Sequence, residues 1–409
     1  MKKIIIAFIS AFSFASILPQ SSSTYTRLGL GDIEYSYSAR RLGMGQLGTS
    51  VADEDFINSL NPAGWYKLNK TRIEFGLYYN GMFLSDNNNK AYFAETEFSG
   101  FTIAFPVSKI YGIGLAAGLV PFSNVSYDVE QTFYTDDPYR VTYKGSGGLT
   151  KLFIGTSYKL PFNLVVGTSL DYYFGNLKYN SRIDFTESTT SFAEYENIYR
   201  PEGIGFTFGF ISPDISSAID STNITDFRFG GSINYIGSLD LDTVLTSLSS
   251  TSSDTISHGK TKADIPVRLS FGVNAIFNKE YLLSLDYSYQ PWSDFRIGGF
   301  SNAGLRNSQK ISVGFEYKPI VEVGTFWEQI IWRAGLSFEG TQYMVNNEGI
   351  NQYSVSGGLS LPVGNENTLD LGILFAMRGT TDSDLIKENV IRLSLGISFG
   401  ELWFIRREN

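Results

Sequence analysis

The chain contains one histidine, His258, and no cysteine. No thiolate is therefore available as nucleophile, zinc ligand or disulfide half, and a Ser-His-Asp enzyme would have a single imidazole to work with. His258 lies in Thr255-Ile-Ser-His-Gly-Lys260, with no fixed acid and nucleophile beside it, and reads as a solvated loop residue. Gly112-Ile-Gly114 and Gly203-Ile-Gly205 lack the strand-to-helix context of a nucleotide-binding turn, and suit small positions facing an interior. No catalytic residue, metal site or cofactor is expected, and the chain does not read as an enzyme.

What remains is a set of charged residues whose meaning depends on the elements that carry them. The 409 residues have a net charge of −9, only 18% charged side chains, 32 Phe and 25 Tyr. The acidic balance lacks the basic footprint of a nucleic-acid binder. Lys2 and Lys3 precede an uncharged, largely apolar run from Ile4 to Leu18, the pattern of a secretory signal, so residues 1–22 are assigned to a signal peptide. That run is shorter than the ~20 residues of a spanning helix. No later segment approaches one, so any membrane residence must use strands.

From Thr71 to Phe399 the apolar signal has period 2. In the first segment Ile73, Phe75, Leu77 and Tyr79 point one way and Arg72, Glu74, Gly76, Tyr78 and Asn80 the other. Fourteen such segments are expected, near 71–84, 95–106, 109–122, 149–160, 163–177, 202–211, 227–239, 265–277, 280–290, 308–318, 330–342, 350–361, 367–378 and 388–400. Short connections alternate with long ones at 123–148, 178–201, 240–264 and 291–307, all expected as outer loops. The second face is Gly, Ser, Thr, Asn and mixed charge, which suits a polar lumen inside an apolar, aromatic-flanked wall. An even strand count permits closure, which removes the unpaired edges lipid does not tolerate. The fold expected is all-β, a 14-stranded antiparallel transmembrane β-barrel over residues 71–409, in a bacterial outer membrane.

Residues 23–70 break the period. Gly43 and Gly45 allow tight bends, and Asp53 to Leu60 are expected to form one or two helical turns stopped by Pro62. Ala39-Arg40, Gly43-Met44-Gly45, Ala52-Asp53 and Asn61-Pro62-Ala63-Gly64 stand in order just before the first strand. This stretch resembles the plug region of the FadL/TodX outer-membrane transport family, including its PorV-like relatives. The resemblance implies an N-terminal plug, or hatch, inside the lumen, with Gly43, Gly45, Asp53, Asn61, Pro62 and Ala63 as its motif. It also implies a passage for hydrophobic or amphipathic small molecules, fatty-acid-like in character. Two departures stand out: the long loops are polar rather than apolar, and the chain ends Phe404-Ile-Arg-Arg-Glu-Asn409 rather than on an aromatic residue.

The third segment has Gly112, Gly114, Ala116 and Gly118 on its inward face, an empty strip, followed by Pro121, which removes a ladder hydrogen bond. Gly112, Gly114, Gly118 and Pro121 are the candidate lateral opening, a role in which the resemblance agrees. The expected inward cations are Arg72, Lys151, Lys159, Arg228, Arg268, Lys310, Arg333 and Arg392; the expected inward acids are Glu74, Asp171, Asp286, Glu316, Glu339 and Asp370. Lys151, Arg268, Lys310 and Arg392 fall toward the outer half and are the candidate ligand-binding residues, for an anionic head group. Arg72, Arg228 and Arg333 fall lower, where they could hold the hatch stretch Asp53-Glu54-Asp55. The leading functional expectation is passive uptake through a plugged monomer in contact with outer-membrane lipid. The second is a PorV-like barrel that binds secretion-system proteins and transports nothing.

Overall fold

The computed structural model describes residues 23–134, 138–185, 192–219, 222–301, 304–320, 324–364 and 366–401. The signal segment 1–22 and Phe404 lie outside them. Fourteen long antiparallel strands form one closed sheet. They are β1 Thr71–Ser85, β2 Lys90–Ser108, β3 Ile113–Phe133, β4 Tyr139–Lys159, β5 Val165–Phe185 and β6 Phe192–Ile211. Next come β7, in two pieces Ile224–Tyr235 and Gly237–Ser249, and β8, in two pieces Ser253–Ile265 and Arg268–Phe277. The remainder are β9 Tyr281–Gln290, β10 Ser308–Tyr317, β11 Ile331–Val345, β12 Glu348–Val363, β13 Asn367–Arg378 and β14 Lys387–Glu401. Closure is by β14 on β1, in continuous register from Lys387↔Ser85 to Glu401↔Thr71.

The burial pattern inverts that of a soluble globule. Phe75, Leu115, Leu170, Phe206, Leu285 and Phe375 are exposed, while Glu74, Asp171, Thr207, Asp286, Ser312 and Arg333 are buried. A wall with apolar residues outside and polar residues inside is stable only with hydrocarbon around it. Period 2 read this correctly because side chains alternate across a strand.

Three expectations about loops are corrected. Residues 123–133 and 139–148 continue β3 and β4 as a paired hairpin, from Ser123↔Leu149 to Phe133↔Tyr139. The spans 178–185 and 192–201 likewise extend β5 and β6, and 240–264 lies in the β7–β8 hairpin. Beyond the bilayer both faces meet water, so a strand there needs no apolar alternation, and the periodic signal stops before the strand does. His258 is exposed on that hairpin.

The N-terminal segment is corrected too. Asp53 to Leu60 form no helix; a short helix occupies Ala39–Gly43, and a 3₁₀ turn runs Pro62–Lys67. Pro62 starts that turn instead of stopping one, with Asn61 Oδ1 accepting from the Ala63 N–H at 3.0 Å. Proline suits a first helical position because its missing N–H would be unpaired there anyway.

Candidate functional site

The N-terminal segment packs against inward-facing residues of the wall. Its helix lies on β11–β14, where Gly43 meets Gly358; a Cβ on Gly43 would sit 3.1 Å from the Gly358 Cα. Gly45 takes φ +78°, and a Cβ on Gly335 would lie 2.2 Å from its nitrogen. These close approaches bring Arg40 to the lumen wall, beside Arg333 of β11. Arg40 grips Glu316 through Nε at 3.0 Å and Nη2 at 2.8 Å, and its Nη1 lies 2.5 Å from Asp53. Arg333 reaches the same Glu316 at 2.7 Å, donates to Ser360 Oγ at 2.7 Å, and lies 3.7 Å from Asp370. Phe56 lies beneath both guanidiniums, 4.2 Å from that of Arg40 and 5.4 Å from that of Arg333. Each charge is thus paired and hydrogen-bonded, the condition under which buried charge is tolerated.

Of the other two low-lying arginines, Arg72 reaches Asp55 at 2.5 Å and the Glu366 carbonyl at 2.7 Å. Arg228 instead pairs with Asp226 of its own strand. Asp53 is held by Arg40 and Arg41 from within the segment. Tyr37 donates to Glu74, which also accepts from the Ile57 N–H at 2.8 Å.

The four upper cations do not converge on one site. Lys310 pairs with Glu339 at 3.0 Å, also bonds Gln46, and lies over the Tyr35 ring at 4.5 Å. Arg392 makes a two-pronged contact with Glu34, at 2.8 and 3.0 Å, over the Tyr78 ring. Lys151 lies 3.7 Å from Asp171. Arg268 has rings on its faces, Phe122 at 5.4 Å and Tyr35 at 5.7 Å. Sequence reasoning missed the partners Asp32, Glu34, Tyr35 and Gln46, and the pairing of Arg378 with Asp32 at 2.9 Å. Lacking a period, the segment gave no orientation; the adjacent Arg40-Arg41 ahead of Gly43 was the available signal.

The Asn61-Pro62-Ala63 corner docks on β5 and β6. Asn61 Nδ2 donates to the Phe210 carbonyl at 3.0 Å and to the Thr49 carbonyl at 2.8 Å. A Cβ on Gly209 would fall 1.9 Å from Asn61 Oδ1, and one on Gly167 2.4 Å from the Ala63 nitrogen. The glycine-rich face of β3 is not an empty strip. Trp65 fills it, its carbonyl against Gly114 and its ring stacked on Phe153 at 5.9 Å. Gly112 lies in the turn before β3, with φ +57°.

Next to that face the wall splits. β2 and β3 pair from Ser108↔Ile113 to Phe101↔Leu119, and no pair follows among the described residues. β3 bulges between Pro121 and Ser123. Its freed edge is taken by the N-terminal segment: Asp32–Ile33 pair with Asn124 and Ser123, the Glu34 N–H donates to the Phe122 carbonyl, and the Ser23 N–H to the Ser126 carbonyl. Asn124 Nδ2 spans the split to Glu97 at 2.6 Å. A polar groove of about 1100 Å³ lies along it, with Glu95, Glu97, Asp128, Glu196, Lys144 and Lys178 in its walls. By contrast, two voids between the segment and the wall, at Tyr37–Ala39 and at Ser59–Leu60, measure about 10 Å³ each.

A closed barrel with a lipid-facing exterior and a polar interior, on which the N-terminal segment packs, defines an outer-membrane protein of FadL-like fold. Solved structures agree on that fold. The Pseudomonas aeruginosa FadL homologue matches with TM-score 0.61 and 11% identity over 94% of this chain and 99% of its own. The toluene transporter TodX of P. putida matches with TM-score 0.60 and 16% identity over 92% and 100%, and the Ralstonia pickettii toluene transporter TbuX with 0.57 and 14% over 90% and 99%. No curated protein matches in sequence. The BamG family model matches residues 1–409, and the chain belongs to the BamG family.

Proposed function

We propose that this chain is a barrel kept shut by its own N-terminal segment, with a binding role in an outer-membrane protein assembly. The observation that carries the reading is the packed lumen. Ligand sites commonly occupy ~300–1,000 Å³, whereas the two voids at Tyr37–Ala39 and at Ser59–Leu60 are about 10 Å³ each, the large groove lying apart from them along the β2–β3 split. Ion pairs from Arg40, Arg72, Arg378 and Arg392 cross that boundary. The short-turn end, periplasmic in barrels of this type, carries exposed apolar side chains where water is expected. Ile110 is 84% exposed and Trp327 76%, with Phe162, Ile219 and Ile320 also exposed. Apolar groups at turn tips suit a protein partner.

A second reading, uptake of hydrophobic small molecules with lateral exit at β3, is favoured by the broken β2–β3 ladder and by what the FadL-like relatives are described as carrying. Purification of the tagged chain from native outer membrane in mild detergent separates the two. A stoichiometric protein partner, with no current through the reconstituted barrel, supports the binding role. A lone barrel that copurifies with a lipid-like molecule by mass spectrometry, and admits it into liposomes, overturns that role in favour of uptake.

A further inference from the structure

The void beside Ser59 and Leu60 has an unusual electrical balance. Lys151 and Arg268 both line it, together with Thr207, Ser232 and Ser270. Arg268 is 7% exposed, and its Nη1 has no hydrogen-bond partner among the described residues. The nearby carboxylate is Asp171, whose Oδ2 already holds three donors and whose Oδ1 holds one. Its oxygens accept from Ser169 at 2.7 Å, Thr207 at 2.6 Å, Asn234 at 3.3 Å and Tyr173 at 3.4 Å. Lys151 stands off at 3.7 Å, and no acid lies within 4.0 Å of Arg268 among the ion pairs of the described residues. Two cations thus face one anion in a narrow, largely buried space, leaving an excess positive charge that is costly to bury uncompensated.

We propose that this void binds a single halide-sized inorganic anion, held by Arg268 Nη1 and Lys151 Nζ and bridging the N-terminal segment to the β4–β8 wall. Its volume, about 10 Å³, leaves room for a single monatomic or similarly small species at most and none for a carboxylate head group with its chain. That redirects Lys151 and Arg268 from recognising a transported ligand to fastening the segment. The site is independent of which partner the barrel binds and of whether it conducts.

Crystals of the full chain soaked in sodium bromide test it without any substitution. An anomalous bromine peak in the void, beside Arg268 Nη1, is the expected result. Arg268→Gln is expected to abolish that peak, and Arg296→Gln, on the exposed hairpin, to retain it. Density without anomalous signal in the wild-type protein means water, and overturns the proposal. A peak that survives Arg268→Gln at full height also overturns it.

Discussion

The N-terminal segment is fastened to two sides of the barrel by different means. Toward β10–β14 all neighbouring wall strands stay paired, with one irregularity between Gly340 and Met344, and the joints are buried ion pairs, Arg40–Glu316–Arg333, Arg378–Asp32 and Arg392–Glu34. Toward β2–β3 the ladder is open, and the joint is main chain, with Asp32–Ile33 added as a strand to the freed edge of β3. The first attachment depends on side-chain chemistry and tolerates no loss of a partner. The second depends on backbone approach and tolerates no added atom. An open strand edge is a liability that proteins cover, and here the cover is the chain's own N-terminus. The open β2–β3 side is thus closed by the main-chain joint.

The largest effect is expected from breaking the ionic side. Glu316→Ala leaves Arg333 with a carboxylate only at 3.7 Å and strips Arg40 of its two-pronged partner. Removing one member of a buried ion network costs about 3–5 kcal/mol. Denaturant unfolding of the refolded barrel should show that loss, and hydrogen exchange should rise across residues 39–56 while the Glu34 amide stays protected. Equal deprotection of both would show that the two sides are one unit.

The reciprocal variant is Gly31→Ala. Gly31 takes φ +82°, and an added Cβ would lie 2.1 Å from the Asn124 carbonyl oxygen. Overpacking of this kind costs about 1–3 kcal/mol, here spent on unseating residues 31–34 from β3. Faster exchange at the Glu34 amide, with residues 39–56 unchanged, is the expected outcome. Planar-bilayer recording of the same variant asks whether the open seam leaks; a silent variant with a fast-exchanging Glu34 amide would show that the segment seals more than this edge. A smaller change is Asn124→Ala, which removes the 2.6 Å bond to Glu97 while Tyr78 continues to donate to that carboxylate at 2.5 Å. About 1 kcal/mol is expected, with greater solvent access along the split measured by labelling a cysteine placed at Thr96.

These contrasts follow how much of the molecule its sequence makes readable. The wall was legible because lipid and lumen impose opposite demands on alternate residues, and the strand count and most inner boundaries follow from that. The outer strand extensions were not, since water on both faces removes the alternation at Tyr139–Ser146. The inward charges were legible as a set but not as pairs. Arg72 and Asp55 are 17 residues apart, but Arg40 and Glu316 are 276 apart, and only closure of the barrel brings them together. The irregularity beside Pro121 was legible, since proline has no N–H to give the ladder; the pairing of Asp32–Ile33 next to it was not, because a two-residue strand carries no period.

The smallest expected effect concerns acid, at a joint that combines both features. Asp55 lies at the barrel's short-turn end between Arg72 at 2.5 Å and Lys318 at 2.8 Å. Burial alone would raise its pKa, but Lys318 first and Arg72 next outweigh that and hold the carboxyl below its ordinary value. A carboxyl depressed in the folded state binds its proton more readily when unfolded, so its stabilisation is complete above the unfolded value of ~3.9. It is lost as pH falls through the lower folded value. Lys318 is half exposed, so solvent screens the pair and the contribution stays at or below ~1 kcal/mol. Comparing wild type with Asp55→Asn across acid unfolding should therefore give a stability difference that is flat above pH ~4 and shrinks below it. Because the Lys318 arm is exposed, raised salt should diminish the difference further. A difference independent of both pH and salt would mean that Asp55 acts through packing and belongs with the main-chain side of the comparison.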